Sequence, residues 1–160
     1  MNTKAVLLGL LLLSITMYGQ NRCMPITATG LMTHQLVGGD WTGTVTVTFG
    51  GQSLEAGATI VTVSGPELKG TTANAASGSE LATFTFTQND WFQVLSHFDA
   101  QHMTNPDLVF HVNEAGKITA GSGIFQGVTG ATNHHGPFWI DTTEGVIKSN
   151  MNMRGTICWK

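Results

Sequence analysis

The feature that most constrains the fold is an alternation of apolar and polar residues that recurs in five separate runs of the chain. In TGTVTVTF, Val45, Val47 and Phe49 alternate with threonines, and in LATFTFTQ, Phe84 and Phe86 do the same. The runs GATIVTVSG, DLVFHVNE and VIKSNMNMRGTIC have the same period. Because successive side chains of a strand point to opposite faces, this period predicts β-strands that each bury one face.

The runs are separated by short segments that contain glycine, proline, asparagine or aspartate. These segments are VGGD, FGGQ, SGPELKG, NAASGS and NEAGK. Such residues are typical of tight turns, and short connections make consecutive strands antiparallel neighbours. We therefore predict an all-β domain of seven or eight strands, arranged as a barrel or a sandwich.

One stretch, from Asn89 to Pro106, fits two conformations. Trp91, Leu95 and Phe98 lie at helical spacing, and Asn89 is a suitable N-cap for a helix. The same residues also read as a strand with a bend. We prefer the strand, because the segments on both sides are themselves strands.

The N-terminal residues have the layout of a secretory signal peptide. Lys4 precedes the apolar run Ala5–Ile15, and Gly19 then offers a small residue at a cleavage point. A membrane anchor is the alternative, but the run is too short to cross about 30 Å of hydrocarbon. We predict a signal peptide at residues 1–19 and one domain at residues 20–160, secreted or periplasmic, with no stable membrane span after cleavage.

The charge of the chain excludes one large class of partners. Charged residues are 11% of the sequence and the formal net charge is −3. There is no basic stripe and no interleaving of basic and aromatic residues, which nucleic-acid binding needs. We therefore predict no nucleic-acid partner.

Two cysteines, Cys23 and Cys158, stand at opposite ends of the predicted domain. In an exported protein, such a pair predicts a single disulfide. A metal site or a nucleophilic thiol is the alternative, but the chain has no CxxC spacing.

The segment GSGIFQGVTG, residues 121–130, has the glycine content of a phosphate-binding loop but not its spacing. A dinucleotide fingerprint needs GxGxxG between a strand and a helix, whereas Gly121, Gly123, Gly127 and Gly130 give GxGxxxGxxG. We interpret the segment as a bent strand whose four glycines allow the sheet to curve. No cofactor is predicted.

The histidines do not form a predicted metal site. His97, Asp99 and His102 do not share one face of either a helix or a strand. The adjacent His134 and His135 lie in a stretch that resembles a turn. We interpret these histidines as polar surface residues.

No catalytic constellation is predicted either. The chain has no GxSxG motif. Asp90, Asp99, Asp107 and Glu114 are near one another in sequence, but mostly in predicted turns, and Glu114 in NEAGK is predicted to be solvated. A glycosidase would need two carboxylates in one cleft, and the sequence does not predict two on one barrel face.

What remains is an apolar interior. Aromatic and methionine side chains on the predicted inner faces are candidates both for the core and for the lining of a ligand cavity. The ligand-binding candidates are Phe84, Phe86, Trp91, Phe110, Phe125, Trp139, Met151 and Met153.

The segment GKITAGSGIFQGVTG resembles the glycine-marked hairpin of the allene oxide cyclase and dirigent barrels. Its pattern G-S-G-I-F-x-G-V-x-G is met at every fixed position. These positions are Gly121, Ser122, Gly123, Ile124, Phe125, Gly127, Val128 and Gly130. The chain looks most like secreted bacterial members, which often end near a G-T-I-C like that at residues 155–158. The resemblance implies a single antiparallel barrel of about eight strands with an apolar cavity.

The resemblance implies less about chemistry. The residues that hold the substrate in the plant cyclases have no match here, since Tyr18 falls in the predicted leader and both cysteines are assigned to a disulfide. We expect an exported barrel that binds a small apolar molecule or serves as a stable extracellular module. Two alternatives are a cyclase or isomerase that acts by positioning its substrate, and a dirigent-like protein that orients a coupling reaction.

Overall fold

The structure, a computed structural model, describes residues 22–35, 38–69, 75–102 and 110–160. The predicted leader and Asp107 lie outside the described residues.

The described chain forms eight β-strands and one short 3₁₀ turn. The strands are β1 (Arg22–Gln35), β2 (Trp41–Phe49), β3 (Gln52–Lys69), β4 (Ala75–Thr85), β5 (Trp91–His102), β6 (Phe110–Ser122), β7 (Thr129–Asp141) and β8 (Val146–Trp159). Each strand pairs antiparallel with the next, and β8 pairs with β1, so the sheet closes into a barrel in chain order. The prediction of an all-β antiparallel barrel is confirmed.

Within the stretch from Asn89 to Pro106, the strand is confirmed over Trp91–His102, and residues 103–106 lie outside the described residues. β5 pairs along its length with β4 and β6, and its inward residues include Phe92 and Val94. Leu95 lies on the outer face and is 43% exposed. The helical spacing of Trp91, Leu95 and Phe98 is therefore coincidental, because β-pairing on both sides outweighs the local pattern.

Three predicted turns lie largely or wholly within strands. Residues 64–69 of SGPELKG belong to β3, where shifts of register against β4 mark bulges, and residues 75–79 of NAASGS begin β4. NEAGK lies within β6, which pairs on both sides through Asn113 and Lys117. Turn-forming residues at these three places therefore do not end the strands, and in β3 they coincide with bulges.

The predicted disulfide is present. Cys23 on β1 lies directly opposite Cys158 on β8, with an S–S distance of 2.07 Å. The bond joins residues separated by 135 positions and links the first strand to the last. In the chain-entropy account, closing a loop of this size stabilises the fold by about 5 kcal/mol.

The glycine segment is a structured connection between two strands and not the bent strand that we predicted. β6 ends at Ser122, residues Gly123–Phe125 form the 3₁₀ turn, and β7 begins at Thr129. Gly123 and Gly127 have φ values of 61° and 73°, which side chains with a Cβ rarely adopt. The other two glycines allow close packing: a Cβ at Gly121 or Gly130 would overlap a neighbouring backbone carbonyl.

This connection covers one end of the barrel, which we call the plug end. The indole N–H of Trp159 donates to the Ile124 carbonyl at 2.8 Å, and the backbone N–H of Ile124 donates to the Asp90 carboxylate at 3.0 Å. Phe125 is thereby turned into the barrel and is fully buried.

Inside the plug end lies an aromatic cluster, which we call the aromatic plug. It consists of Phe49, Phe84, Phe86, Phe92, Phe125 and Trp159. Ring centroids within it are 4.8–6.4 Å apart, the range of favourable aromatic contacts. The core is therefore concentrated at the end of the barrel that carries the disulfide.

Candidate functional site

The opposite half of the barrel encloses a cavity of about 370 Å³. It extends to the end where β2, β4, β6 and β8 begin, which we call the cavity end. Its apolar lining residues are Met32, Trp41, Ile60, Ala76, Phe98, Ala100, Phe110, Val112, Phe138, Ile147 and Met151. Its polar lining residues are His34, Thr62, Glu80, Glu114, His134 and Ser149.

Aromatic rings form the wall of the cavity near its end. Phe110 on β6 stacks on Phe138 of β7 with a centroid distance of 4.8 Å and an interplanar angle of 7°. Trp41 meets Phe138 edge-on at 6.2 Å, and His34 lies 5.2 Å from Trp41. The first residues of β2 and β6 thus place flat apolar surfaces around the cavity.

Six of the eight predicted ligand-binding residues lie inside the barrel. Phe110 and Met151 line the cavity. Phe86 and Phe125 belong to the aromatic plug, while Phe84 and Met153 line a smaller pocket of about 20 Å³ between the plug and the cavity.

The two tryptophans among these predictions lie elsewhere. Trp91 and Trp139 alternate with the inward-facing Phe92 and Phe138, and neither lines the cavity. They are therefore on the outer face of the sheet, by the same period of two that identified the strands.

Four polar side chains form a row across the inner wall at the bottom of the cavity. Glu80, Ser96, Glu114 and His134 lie on the consecutive strands β4, β5, β6 and β7. Glu80 is paired with Ser96, and Glu114 with His134, in the register of the sheet. We call these four residues the polar row.

The polar row is connected by hydrogen bonds. The Ser96 hydroxyl donates to Glu114 Oε2 at 3.4 Å, and Glu114 Oε1 lies 2.9 Å from His134 Nδ1. The Glu80 and Glu114 carboxyl groups are near enough for a hydrogen bond that raises the pKa of Glu80. Glu114 is thus the centre of the row, held from both sides.

Burial and charge determine where the protons lie. Glu80 is only 8% exposed, and its burial, the charge of Glu114 and the hydrogen bond between the two carboxyl groups raise its pKa to about 9. Glu80 is therefore a neutral carboxylic acid at neutral pH, next to a carboxylate.

The Glu114 carboxylate also raises the pKa of His134. Burial of the histidine lowers its pKa, but the hydrogen bond and the charge of Glu114 outweigh burial, so the net shift is upward. The His134 and Glu114 side chains are 11% and 12% exposed, so the pair is largely screened from solvent. A hydrogen bond with the backbone of Asn150 also raises the pKa of His134.

The polar row was not predicted from the sequence, and three of the expectations stated above are wrong. Glu114 is not solvated in a turn, because NEAGK continues β6 and Glu114 follows the inward Val112 by two positions. His134 is not on the surface, although its neighbour His135 is exposed. Glu80 and Glu114 do share one inner face, contrary to our expectation.

A signal for these residues was present in the sequence. Glu80 lies four positions before Phe84, and Glu114 four positions after Phe110, so both continue the apolar face of a strand. Extending the period of two through the predicted turns places both glutamates at inward positions, where a charged residue is unusual. That pattern would have identified both residues.

Two other candidate polar groups lie on the outer surface. His97 and Asp99 share the exposed face of β5, as a strand requires, and His102 ends the strand. Among the residues that the structure describes, no group of three His, Cys, Asp or Glu side chains is arranged to hold a metal ion.

Comparisons of the chain with protein-family models, with curated proteins and with solved structures gave no match. Within the described ranges, no helix has the length and apolar character needed to cross a membrane. The fold and the site therefore stand on the residues of this chain alone, and membership of the allene oxide cyclase and dirigent barrels stays a prediction.

Proposed function

We propose that this protein is an exported barrel that binds a small apolar molecule in the cavity between the polar row and the cavity end. The cavity volume of about 370 Å³ is the observation on which this proposal rests. Cavities of roughly 300–1,000 Å³ are typical of small-molecule sites, and eight-stranded barrels are wide enough to hold one such ligand.

The composition of the wall supports an apolar ligand. The stacked rings of Phe110 and Phe138 offer flat surfaces, and Met32 and Met151 adapt to irregular shapes. The few polar groups are gathered at the bottom, where they would orient one end of the ligand.

Export and family membership are parts of the same proposal. The disulfide is compatible with an extracellular or periplasmic location, where such bonds persist. The eight-stranded barrel and the glycine-marked connection between β6 and β7 are the features that favour a barrel of the allene oxide cyclase type.

Binding can be tested with the uncharged fluorescent probe N-phenylnaphthylamine. We expect saturable enhancement of its fluorescence with one site per chain. Ala100 lines the cavity and is buried, so Ala100→Trp should fill the site and abolish the enhancement. Leu95→Trp, on the outer face of the same strand, is the matched control and should leave it unchanged.

Circular dichroism would establish that both variants are folded. The proposal fails if the folded parent gives no saturable signal, or if Ala100→Trp binds the probe as well as Leu95→Trp does. A second experiment, native mass spectrometry of protein purified from its own host, would reveal a co-purifying ligand.

A cyclase or isomerase is a second candidate function, and the polar row is the observation that favours it. Ionisable groups with displaced pKa values that face a cavity are concentrated at functional sites. Glu80 meets this description, since burial and Glu114 raise its pKa to about 9.

A further inference from the structure

Two carboxyl groups of opposite protonation state face the same apolar cavity. Glu80 and Glu114 both line it, from strands that flank β5. The two carboxyl groups are near enough for a hydrogen bond, which together with burial and the Glu114 charge raises the pKa of Glu80 to about 9. A proton donor and a proton acceptor are thus held side by side against a bound molecule.

We propose that Glu80 and Glu114 are the acid and the base of a proton-transfer isomerase that acts on small uncharged carbonyl compounds. This inference deepens the proposed function, and it rests on it because the substrate must occupy the same cavity.

The surroundings of Glu80 and Glu114 determine which of the two carboxyl groups holds the proton. Glu114 accepts hydrogen bonds from Ser96 and His134, whose donors stabilise its charged form. Glu80 is the more deeply buried of the two, and the charge of the neighbouring Glu114 disfavours its ionised form. Glu80 therefore keeps the proton and Glu114 keeps the charge.

The pair can move a double bond without any other reactant. Glu114 takes a proton from the carbon between a carbonyl and a C=C bond, and the C–H electron pair forms a new C=C bond. The carbonyl π pair moves onto oxygen, which takes the proton of Glu80, giving a neutral dienol. Glu114 then donates its proton to the γ carbon, and the enol O–H proton returns to Glu80.

Both carboxyl groups end this cycle in their starting states. A proton that finishes on the wrong carboxyl group can return through the hydrogen bond between Glu80 and Glu114. The site is thus restored for the next turnover. This requirement for direct contact is met by the polar row and would not be met by two separated carboxylates.

The cavity also selects the class of substrate. Its wall is largely apolar, so the substrate must be mostly hydrocarbon. A ligand carboxylate at the bottom would lie against the Glu114 charge, which disfavours an acidic substrate. An uncharged ketone or aldehyde has a carbonyl oxygen that accepts the Glu80 proton and adds no charge.

His134 is a positioning residue in this arrangement. Its Nδ1 lies 2.9 Å from Glu114 Oε1, on the side away from Glu80 in the strand order. It holds the base in place and keeps it ionised, and no step of the cycle requires it to exchange a proton with the substrate.

The test uses a β,γ-unsaturated cyclohexenone, whose conversion to the conjugated enone is followed by ultraviolet absorbance. We expect the parent to accelerate the conversion above the protein-free rate. Glu80→Gln and Glu114→Gln should each reduce the acceleration by about 100-fold or more. His135→Gln, on the exposed face of β7, is the control and should keep full activity.

Displacement of N-phenylnaphthylamine by the same ketone distinguishes a failure of the isomerase proposal from a failure of the ligand-binding proposal. If the parent binds the ketone and does not convert it, the isomerase is refuted while ligand binding stands. If neither ketone nor probe binds, both proposals are refuted. Full activity in Glu80→Gln, with its fold verified by circular dichroism, would also overturn the assignment of the acid.

Discussion

The two halves of the barrel are built from the same strands but filled in opposite ways. On β5, the inward residues at the plug end are Phe92 and Val94, whereas Ala100 faces the cavity. On β4, Phe84 belongs to the plug and Ala76 lines the cavity. On β4 and β5, small side chains at Ala76 and Ala100 thus leave space in one half, whereas phenylalanines fill the other.

This difference indicates a division of work between the halves. The aromatic plug, the disulfide and the covering connection at Gly123–Phe125 all lie at the plug end. We infer that these features stabilise the fold, so that the other half does not need a packed core. The polar row lies at the boundary, where a solid wall supports it and the cavity reaches it.

The largest predicted effect comes from comparing one side-chain truncation in the plug with one in the cavity wall. Phe125→Ala in the plug should lower the free energy of unfolding by about 3–5 kcal/mol, because it removes a fully buried ring from a packed cluster. Phe110→Ala in the cavity wall should cost about 1 kcal/mol, because one side of that ring already faces the cavity. Urea unfolding measures both values.

Binding should respond in the opposite order. Phe110→Ala removes part of the proposed ligand surface and should weaken the binding of N-phenylnaphthylamine, while folded Phe125→Ala should bind it normally. Equal losses of stability in the two variants would contradict the division of the barrel into a stabilising and a binding half.

A second prediction concerns the cost of the polar row. Burial and Glu114 raise the pKa of Glu80 from 4.5 in the unfolded chain to about 9 in the folded protein. The folded state therefore retains a proton that the unfolded state loses, and stability must fall as pH rises through this interval, by up to about 1.4 kcal/mol per pH unit. The raised pKa of His134 acts in the same direction above its ordinary value.

Glu80→Gln should remove the Glu80 part of this dependence. Glutamine is neutral, like the buried acid, and can donate a hydrogen bond to Glu114. The variant should therefore match the parent near about pH 4 and exceed its stability increasingly toward about pH 8. Thermal unfolding across this range is the measurement. Asp40→Asn, at an exposed position, is the control and should follow the parent.

A parallel fall of stability in the parent and in Glu80→Gln would refute the buried neutral acid. The groups that face Glu80 within the described polar row are Ser96, Glu114 and His134, and the more distant His34 lines the same cavity. A residual slope in the variant would be assigned to His134, whose pKa is raised.

The sequence predicts the barrel and the disulfide because both depend on short-range or simple signals. The period of two is local, and two cysteines at opposite ends of an exported domain have one natural pairing. The inner positions of Val45, Val47, Phe49, Phe84 and Phe86 follow from the same period, and all are buried or packed on the core.

The site is harder to predict because it depends on where long strands end. NEAGK has the composition of a turn, yet cross-strand pairing on both sides keeps it in β6 and turns Glu114 inward. The adjacency of Glu80, Ser96, Glu114 and His134 further requires the register of four strands, which no local pattern specifies. The polar row is therefore visible only in the folded barrel.

The smallest predicted effect concerns the glycine connection. Gly127 and Gly145 have similar φ values of 73° and 67°, and a Cβ at either position would meet no atom within 4 Å. Valine at either site thus introduces backbone strain alone, of about 1–2 kcal/mol. The two turns lie at opposite ends of the barrel, so comparing the two valine variants shows how the position of the strain affects the free energy of unfolding.

We expect Gly127→Val to be the more harmful of the two. The Gly145 turn is also held by hydrogen bonds, including one from the Gly145 N–H to the Asp141 carbonyl at 2.9 Å, but it lies away from the plug. Strain in the Gly127 turn reaches the plug, because the N–H of Val128 donates to the Phe125 carbonyl at 3.2 Å and Phe125 is part of the plug. Urea unfolding should give a loss of about 1–2 kcal/mol for Gly127→Val and less than about half of that for Gly145→Val. The reverse order would mean that the cavity end, and not the plug end, holds the barrel together.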